Sequence, residues 1–145
     1  MAMNHPLQDI DTLTDRVIGC AVEVHRHMGP GLNEGIYTEC MTLALAEHEL
    51  AFACDVSVSV SYKGRRLKKR FELDLLVDNR LIVEVKSVES LHPVHQAQVL
   101  TYLRVTGHPA GLLLNFNEAT LLAGLKRLDH PDRYARKRGP IGSRR

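Results

Sequence analysis

Apolar residues return along the chain at two different spacings, and these spacings divide the sequence into helices and strands. Between residues 10 and 28 they return every three or four positions, which is the period of one helix face. A second helix is predicted over residues 33–49. Its predicted buried face comprises Ile36, Cys40 and Leu43. The adjacent stripe of the same helix carries Glu34, Tyr37 and Met41.

Alternation of apolar and polar residues follows, and it predicts three strands in succession. Residues 52–62 alternate in this way before a turn at Lys63 and Gly64, and residues 70–76 and 81–87 repeat the pattern. Pro93 suits the first turn of a third helix that Gly107 would end, and a short apolar strand follows. The predicted order of elements is therefore ααβββαβ.

The helix between the third and fourth strands determines the expected fold class. Such a connection favours a right-handed crossover and a partly parallel sheet with helices packed on it. The fold is therefore expected to be α/β, with a mixed β-sheet flanked by helices. One domain over residues 1–128 is expected, because 145 residues with 44% hydrophobic content supply one ordinary core. Residues 129–145 are rich in Pro, Gly and Arg and are expected to form a basic, flexible tail.

Two carboxylates and a lysine fall on what the alternation predicts to be one β-hairpin. If the turn has three residues, 78–80, then Asp74 lies directly opposite Glu84, and Lys86 follows on the same strand face. A register shifted by one residue would separate the two carboxylates onto opposite faces of the sheet. The hypothesis of a shared site therefore depends on the length of the turn.

This constellation suits the hydrolysis of phosphodiesters. Asp74 and Glu84 offer the carboxylate oxygens that Mg²⁺ prefers, and a bound cation lowers the pKa of an attacking water. Lys86 could stabilise the developing charge or orient the water. An exposed, salt-bridged strand face would show the same residues, so the hairpin alone does not decide between these interpretations.

Charge is distributed unevenly along the chain, although the net charge is only +2. Residues 126–145 hold eight Lys and Arg against two Asp, whereas residues 1–125 hold eleven against fifteen acids. A second basic run begins at the turn of the first hairpin and includes Lys68 and Arg70. Either basic segment could follow the phosphates of a nucleic acid. For the hairpin, protection of a solvated edge is the alternative.

Other classes of site find little support in the sequence. The three cysteines are widely spaced within apolar patterns, which suits reduced thiols better than disulfides or zinc ligands. The histidines form no zinc pattern, and no glycine-rich phosphate loop is present. No export leader or stretch of membrane-spanning length is evident, so a cytoplasmic protein without membrane contact is expected.

The flanking helices carry motifs that resemble a known family. Gly31, Glu34 and Tyr37 form G-x-x-E-x-x-Y; together with Asp74, the Glu84-Val85-Lys86 triplet and residues 93–98, they resemble the GxxExxY family of the PD-(D/E)XK nuclease superfamily. Residues 98–102 also resemble the Q-x-x-x-Y motif of RecB-like members. The resemblance covers about residues 12–128 and implies a restriction-endonuclease-like fold.

The resemblance implies roles for particular residues. Glu34, Asp74, Glu84 and Lys86 would be catalytic, with Glu34 as an acid on the helix that lines the site. The implied metal ligands are Asp74, Glu84 and Glu34. The residues expected to contact substrate or support the site are Gln98, Tyr102, Tyr37, His95, Lys68 and Arg70. Burial of an aromatic ring with a polar tip is the alternative for both tyrosines, and helix-dipole stabilisation is the alternative for Glu34.

One position departs from the expected family pattern. Relatives are expected to carry a basic residue two positions before the strand aspartate, whereas this chain has Glu72. An extra carboxylate there could bind a second metal ion or could repel a phosphate.

The leading hypothesis is a metal-dependent nuclease that uses Mg²⁺ or Mn²⁺ and acts on nucleic acid, with DNA expected over RNA. The alternative is a catalytically weak or inactive module that binds nucleic acid or a protein partner. Another phosphate ester as substrate is a third hypothesis. Cutting both strands at once would need two sites, so a homodimer is compatible with the sequence.

Overall fold

The described part of the chain, residues 8–132, forms one mixed sheet with helices on both faces in a computed structural model. The helices are α1 (Ile10–Met28), α2 (Glu34–Glu47) and α3 (Pro93–Thr106). The strands are β1 (Phe52–Tyr62), β2 (Arg65–Val77), β3 (Leu81–Lys86), β4 (Ala110–Asn115) and β5 (Leu125–Asp129), and a short 3₁₀ turn, Leu122–Gly124, precedes β5. The predicted α/β class and the first seven elements are confirmed.

The strands lie in the sheet in the order in which they occur in the chain, β1-β2-β3-β4-β5. β3 and β4 are parallel, because α3 connects them across one face of the sheet, and the other neighbouring strands are antiparallel. The prediction of a mixed sheet is therefore confirmed.

The sequence analysis missed β5. This strand has only five residues, three of them charged, so its alternation is too short to stand out from a loop. Pairing with the buried strand β4 stabilises it in the extended form. It ends at Asp129, one residue beyond the predicted domain boundary, and residues 133–145 of the predicted tail lie outside the described residues.

Two apolar layers hold the helices against the sheet. The layer on the side of α1 and α2 includes Leu13, Val17, Tyr37, Met41, Leu75, Val83, Val85 and Phe116. The smaller layer on the side of α3 includes Leu73, Leu76, Ile82, Val99, Tyr102 and Leu103. Both faces of β3 and β4 are covered, as is usual for the parallel part of a sheet. Within the described residues, no helix has the length and apolar character needed to cross a membrane.

The predicted buried face of α2 is wrong. Ile36 and Leu43 are 39% and 62% exposed, whereas Tyr37 and Met41 have no exposed surface. Apolar residues occur on most sides of this helix, so its sequence pattern does not single out one face. Packing against both α1 and the sheet selects the stripe that contains Tyr37 and Met41.

The turn between β2 and β3 has the predicted length of three residues. Val77 pairs with Leu81, and the amide of Arg80 donates a hydrogen bond of 3.0 Å to the carbonyl of Val77. Asp78 and Asn79 both take left-handed backbone conformations, with φ of 53° and 55°. Aspartate and asparagine tolerate this conformation better than other side-chain-bearing residues, which favours a tight hairpin here.

Substitutions on α2 test which stripe is buried. Met41→Ala is expected to lower the free energy of unfolding by about 2–5 kcal/mol, because it leaves a cavity in a packed layer. Leu43→Ala, its matched control, is expected to change that free energy by less than about 0.5 kcal/mol. Urea unfolding monitored by circular dichroism measures both values, and a larger loss for Leu43→Ala would contradict the assignment.

Candidate active site

The candidate site lies where β2 and β3 separate. These strands pair at three positions, Leu75 with Val83, Leu76 with Ile82 and Val77 with Leu81. At the next position in the same register, the Asp74 amide donates to the Glu84 carboxylate over 2.9 Å. The Val85 amide in turn donates to the Asp74 carboxylate over 2.8 Å. The structure therefore brings together the two acids predicted to face each other, and their side chains bond to backbone amides across the gap.

The backbone opposite Asp74 is also unusual. β1 and β2 pair on both sides of Asp55 and Asp74, but these two residues form no pair in the ladder. Asp55 has a φ of 49°, in the left-handed region. Leu75 packs on the side of α1 and α2, whereas Leu73 packs on the side of α3. Strict alternation over the predicted strand 70–76 would place residues 71, 73 and 75 on one face, and this part of the prediction is wrong because the hairpin changes faces at Asp74.

Burial makes the carboxyl pair electrostatically costly. Glu84 is 4% exposed, and its pKa is raised to about 8, first by burial and then by the negative charge of Asp74. Burial also raises the pKa of Asp74, although the hydrogen bond from Val85 and the charge of Lys86 oppose that rise. Two acids thus share the influence of one nearby lysine. A divalent cation bound to both carboxylates would relieve this imbalance, so the donor chemistry fits such an ion.

Glu34 lies at the first position of α2, close to the end of β3. Its carboxylate accepts a hydrogen bond of 3.4 Å from the amide of Ser87, and the Ser87 hydroxyl donates to the carbonyl of Leu32. These contacts tie the start of α2 to the residue that follows Lys86. Among residues 8–132, however, no three His, Cys, Asp or Glu side chains form a group able to hold a metal ion. The described residues therefore contain no preassembled three-carboxylate group, and the role of Glu34 as a metal ligand stays a prediction.

Tyr37 supports the loop before α2 from inside the protein. Its hydroxyl donates to the carbonyl of Gly29 and accepts a hydrogen bond of 3.1 Å from the amide of Leu32. Its ring stacks on Phe116 with centroids 4.6 Å apart and has no exposed surface. The structure thus gives Tyr37 a supporting position, and its predicted contact with substrate stays a prediction.

Residues of α3 flank the carboxyl pair from the other side of the sheet. Tyr102 stacks on Phe71 of β2, with centroids 4.3 Å apart. The pKa of Tyr102 is raised to about 12, first by burial and then by the charges of Glu84 and Asp74. Its hydroxyl therefore remains protonated near neutral pH and can act as a hydrogen-bond donor.

Gln98 and His95 lie on the N-terminal half of the same helix. Gln98 is exposed, and His95 is half-buried with its Nδ1 accepting a hydrogen bond of 3.1 Å from the amide of His92. Burial lowers the pKa of His95 most, and the positive charges of Lys86 and His92 lower it further. Glu34 has the opposite effect on the same imidazole. His95 thus lies within electrostatic range of both Lys86 and Glu34.

Lys68 and Arg70 lie far along β2 from the carboxyl pair. Six residues of extended chain separate Lys68 from Asp74, a distance of roughly 20 Å. Both basic side chains are exposed, and Arg70 donates a hydrogen bond of 2.6 Å to the hydroxyl of Ser57 on β1. The structure therefore places these residues on the projecting β1–β2 hairpin, outside the immediate site. Glu72 is also exposed there and pairs with Ser57 in the ladder.

Three supporting residues were missed by the sequence analysis. Asn115 is fully buried at the end of β4, and its side-chain amide bonds to both the N–H and the C=O of Val88 over 3.0 Å. It thereby fixes the loop that follows Lys86. Ser87 connects this same loop to α2, and Asp55 interrupts the ladder beside Asp74. A polar residue at the end of an apolar strand was the available signal for Asn115, whereas Ser87 and Asp55 gave none.

Comparison with known protein families assigns the residues of this site to one superfamily. The profile of the PD-(D/E)XK nuclease superfamily matches residues 11–128. This span includes Asp74, Glu84 and Lys86, together with α1, α2 and α3 apart from the first residue of α1. No curated protein matches the chain.

The raised pKa of Glu84 predicts how stability depends on pH without metal ions. The folded protein holds the proton of the Glu84 carboxyl more tightly than the unfolded chain does. The free energy of unfolding should therefore fall as pH rises from about 4.5 to about 8. Glu84→Gln should remove this fall and unfold with a free energy on the order of 2–4 kcal/mol higher at pH 8.5, with little difference below pH 4.5.

Urea unfolding in EDTA across this pH range measures the effect. Glu89→Gln, which changes an exposed glutamate outside the carboxyl pair, is the matched control and should keep the wild-type pH profile. Parallel profiles for the wild type and Glu84→Gln would contradict the raised pKa.

Proposed function

The chain belongs to the PD-(D/E)XK nuclease superfamily, and we propose that it is a metal-dependent nuclease with Asp74, Glu84 and Lys86 as its catalytic residues. Its sheet and helices are consistent with the restriction-endonuclease-like fold of that superfamily. The observation that carries the proposal is the carboxyl pair of a buried Glu84 and a half-buried Asp74 where β2 and β3 separate, with Lys86 two residues beyond Glu84. Superfamily membership alone supports a nuclease function in general terms.

The carboxyl pair is proposed to hold one divalent cation, Mg²⁺ or Mn²⁺. Nucleases of this superfamily generally use divalent metal ions. Two carboxylates suffice, because Mg²⁺ in proteins commonly retains several water ligands. When bound, such an ion supplies charge neutralisation for the phosphate and a lower pKa for an attacking water. Glu34 is not part of a preassembled ligand group among residues 8–132. It is therefore proposed to accept hydrogen bonds from the water ligands of the cation, from its position at the start of α2.

Lys86 is proposed to orient the attacking water and to stabilise the negative charge of the phosphate. Its charge influences the pKa of Asp74, Glu84 and His95, which supports an ammonium group within electrostatic range of both the carboxyl pair and α3. The backbone around it is fixed on one side, because its carbonyl accepts a hydrogen bond of 2.9 Å from the amide of Phe116. A fixed strand end limits the positions that the ammonium group can take, as catalysis by preorganised charge requires.

Nucleic acid is the proposed substrate, with DNA preferred over RNA, and two surfaces could contact it, one beside the site and one farther along β2. Gln98 and His95 of α3 are accessible on one side. On the other side, β1 and β2 extend past Asp74 and carry Lys68 and Arg70. Tyr102 is proposed to support this arrangement, because its ring packs on Phe71 at the base of the projecting hairpin.

A second candidate function is a binding module that retains the fold but cleaves weakly or not at all. The observation that favours it is the distance of the basic hairpin residues from the carboxyl pair, since phosphates could be bound there without reaching the site. The carboxylate of Glu72 between these two regions would oppose passage of a phosphate. In this alternative, the basic side chains contribute the affinity and the carboxyl pair is not needed.

Metal binding and cleavage test the first proposal together. Titration with Mg²⁺ or Mn²⁺ should raise the melting temperature of the wild type but not of the Asp74→Asn, Glu84→Gln double variant. Lys86→Ala should bind the ion yet cleave DNA at least about 100-fold more slowly, because only its contribution to the reaction is removed. Lys126→Ala, an exposed lysine of β5, is the control and should cleave normally. Full activity of Lys86→Ala would remove lysine from the mechanism.

The salt dependence of DNA binding tests the basic hairpin. Replacing Lys68, Lys69 and Arg70 with glutamine should flatten the slope of log K against log [salt] by up to about 0.9 for each phosphate that these side chains neutralise. The control variant removes the same charge elsewhere, by replacing Arg26, Arg104 and Lys126 with glutamine. Fluorescence anisotropy with duplex DNA in EDTA measures the slopes. Equal slopes for the hairpin variant and the wild type would contradict the proposed interaction with phosphates.

A further inference from the structure

β1 is a long strand at one edge of the sheet. It has eleven residues and pairs with β2 along one side, and no strand within residues 8–132 pairs with its other side. An exposed edge offers backbone N–H and C=O groups in the arrangement that another strand would complete. The outer edge of β1 is therefore a candidate surface for pairing with a further strand.

The second half of β1 lacks two of the features that usually protect such an edge, charge and proline, although its register with β2 shifts between Ser59 and Ser61. The segment Val56–Tyr62 has no charged residue and no proline, and the left-handed residue Asp55 comes before it. The opposite edge of the sheet differs, because β5 has only five residues and carries Lys126, Arg127 and Asp129. Charges and short length discourage pairing at β5, so the contrast within one sheet singles out β1.

The sequence of this segment is complementary to itself in antiparallel register. Valine and serine alternate from Val56 to Ser61, so pairing about a two-fold axis at Ser59 places Val58 opposite Val60 of a second copy and Ser57 opposite its Ser61. Each valine of one copy would then lie opposite a valine or Tyr62 of the other copy, on the same face of the sheet. A register displaced by one residue would place valines opposite serines and lose this match.

We propose that the Val56–Tyr62 edge of β1 pairs with the same segment of a second copy of this chain and forms a two-fold symmetric dimer with a continuous ten-stranded sheet. Self-pairing of identical surfaces is the form that two-fold dimers take. The valines of β1 already extend the apolar layer beneath α3, since Val56 and Val58 pack on it. The dimer would join these layers across the axis. The inference stands on the edge strand and does not depend on nuclease activity.

The proposed axis has a consequence for the basic residues of β2. It is perpendicular to the sheet, so both copies present the same face on the same side. The two β2 strands would flank the paired β1 strands at a separation of roughly 14 Å, three strand spacings. That distance exceeds the Debye length of about 8 Å at physiological salt, so repulsion between the two basic strands is screened there and grows as salt is removed. Dimerisation should therefore strengthen as salt rises.

Another exposed apolar surface provides the competing interface. Met28, Ile36 and Leu43 project from α1 and α2, beside a groove of about 240 Å³ whose lining includes Glu23 and Glu47. An antiparallel self-packing of α2 about Leu43 would place Glu39 opposite Glu47 of the second copy, which disfavours a symmetric contact. This surface is tested as the alternative.

Sedimentation velocity of the full chain, from 1 to 100 µM under reducing conditions, is the first test. The wild type should dimerise, and Val60→Lys should weaken the dimer at least tenfold, because a lysine in the shared valine face opposes edge pairing. Leu43→Lys adds the same charge on α2 and should dimerise like the wild type. A monomeric wild type at all concentrations would overturn the proposal. A dimer that Leu43→Lys disrupts and Val60→Lys leaves intact would do the same.

A disulfide test locates the axis without depending on the stability of a lysine variant. In a background in which Cys40 and Cys54 are replaced with serine, Ser59→Cys should form a covalent dimer with oxidised glutathione, because directly opposed residues have Cα atoms about 4.5–5.5 Å apart. The matched control is Ser61→Cys, whose two copies would lie roughly 13 Å apart and should not crosslink. Equal crosslinking of the two variants, or none at Ser59→Cys, would overturn the proposed pairing.

Discussion

The position at which β2 and β3 separate is the constraint on which the rest of the site depends. Continued pairing would satisfy the backbone with backbone, but would leave no cleft. The carboxylates of Asp74 and Glu84 take over two of these hydrogen bonds and so permit the strands to part. The cost is a pair of acids, one buried and one half-buried, with raised pKa values, and this cost makes the gap attractive to a cation. One arrangement thus opens the sheet and creates a centre that favours positive charge.

The surroundings of this gap are held by hydrogen bonds from residues with no proposed chemical role. Tyr37 fixes the loop before α2, Ser87 ties that loop to the end of β3, and Asn115 fixes the segment after it. These contacts converge on the two residues that follow Lys86. A catalytic charge is most effective when its supporting backbone cannot relax, so these buried contacts matter to the site although they do not line it.

Local patterns predicted the features that depend on local interactions. The length of the 78–80 turn fixed the register of β2 and β3, and the register brought Asp74 to Glu84. The failures have tertiary causes. The buried face of α2 was selected by packing on α1, the facing of Leu73 and Leu75 changed at a left-handed Asp55, and β5 became a strand because β4 offered it an edge. Glu34 reached the end of β3 but formed no three-carboxylate group within the described residues, which helix periodicity could not have shown.

The projecting hairpin is connected to the molecule in a way that has mechanical consequences. β1 and β2 pair with each other at nine positions, whereas β2 pairs with β3 at three. The hairpin is therefore a long lever attached at a narrow base, and its ladder is interrupted at that base by the missing pair of Asp55 and Asp74. A load applied near its tip produces its greatest bending moment beside the carboxyl pair. Bending of the hairpin would therefore act first on the backbone that carries Asp74.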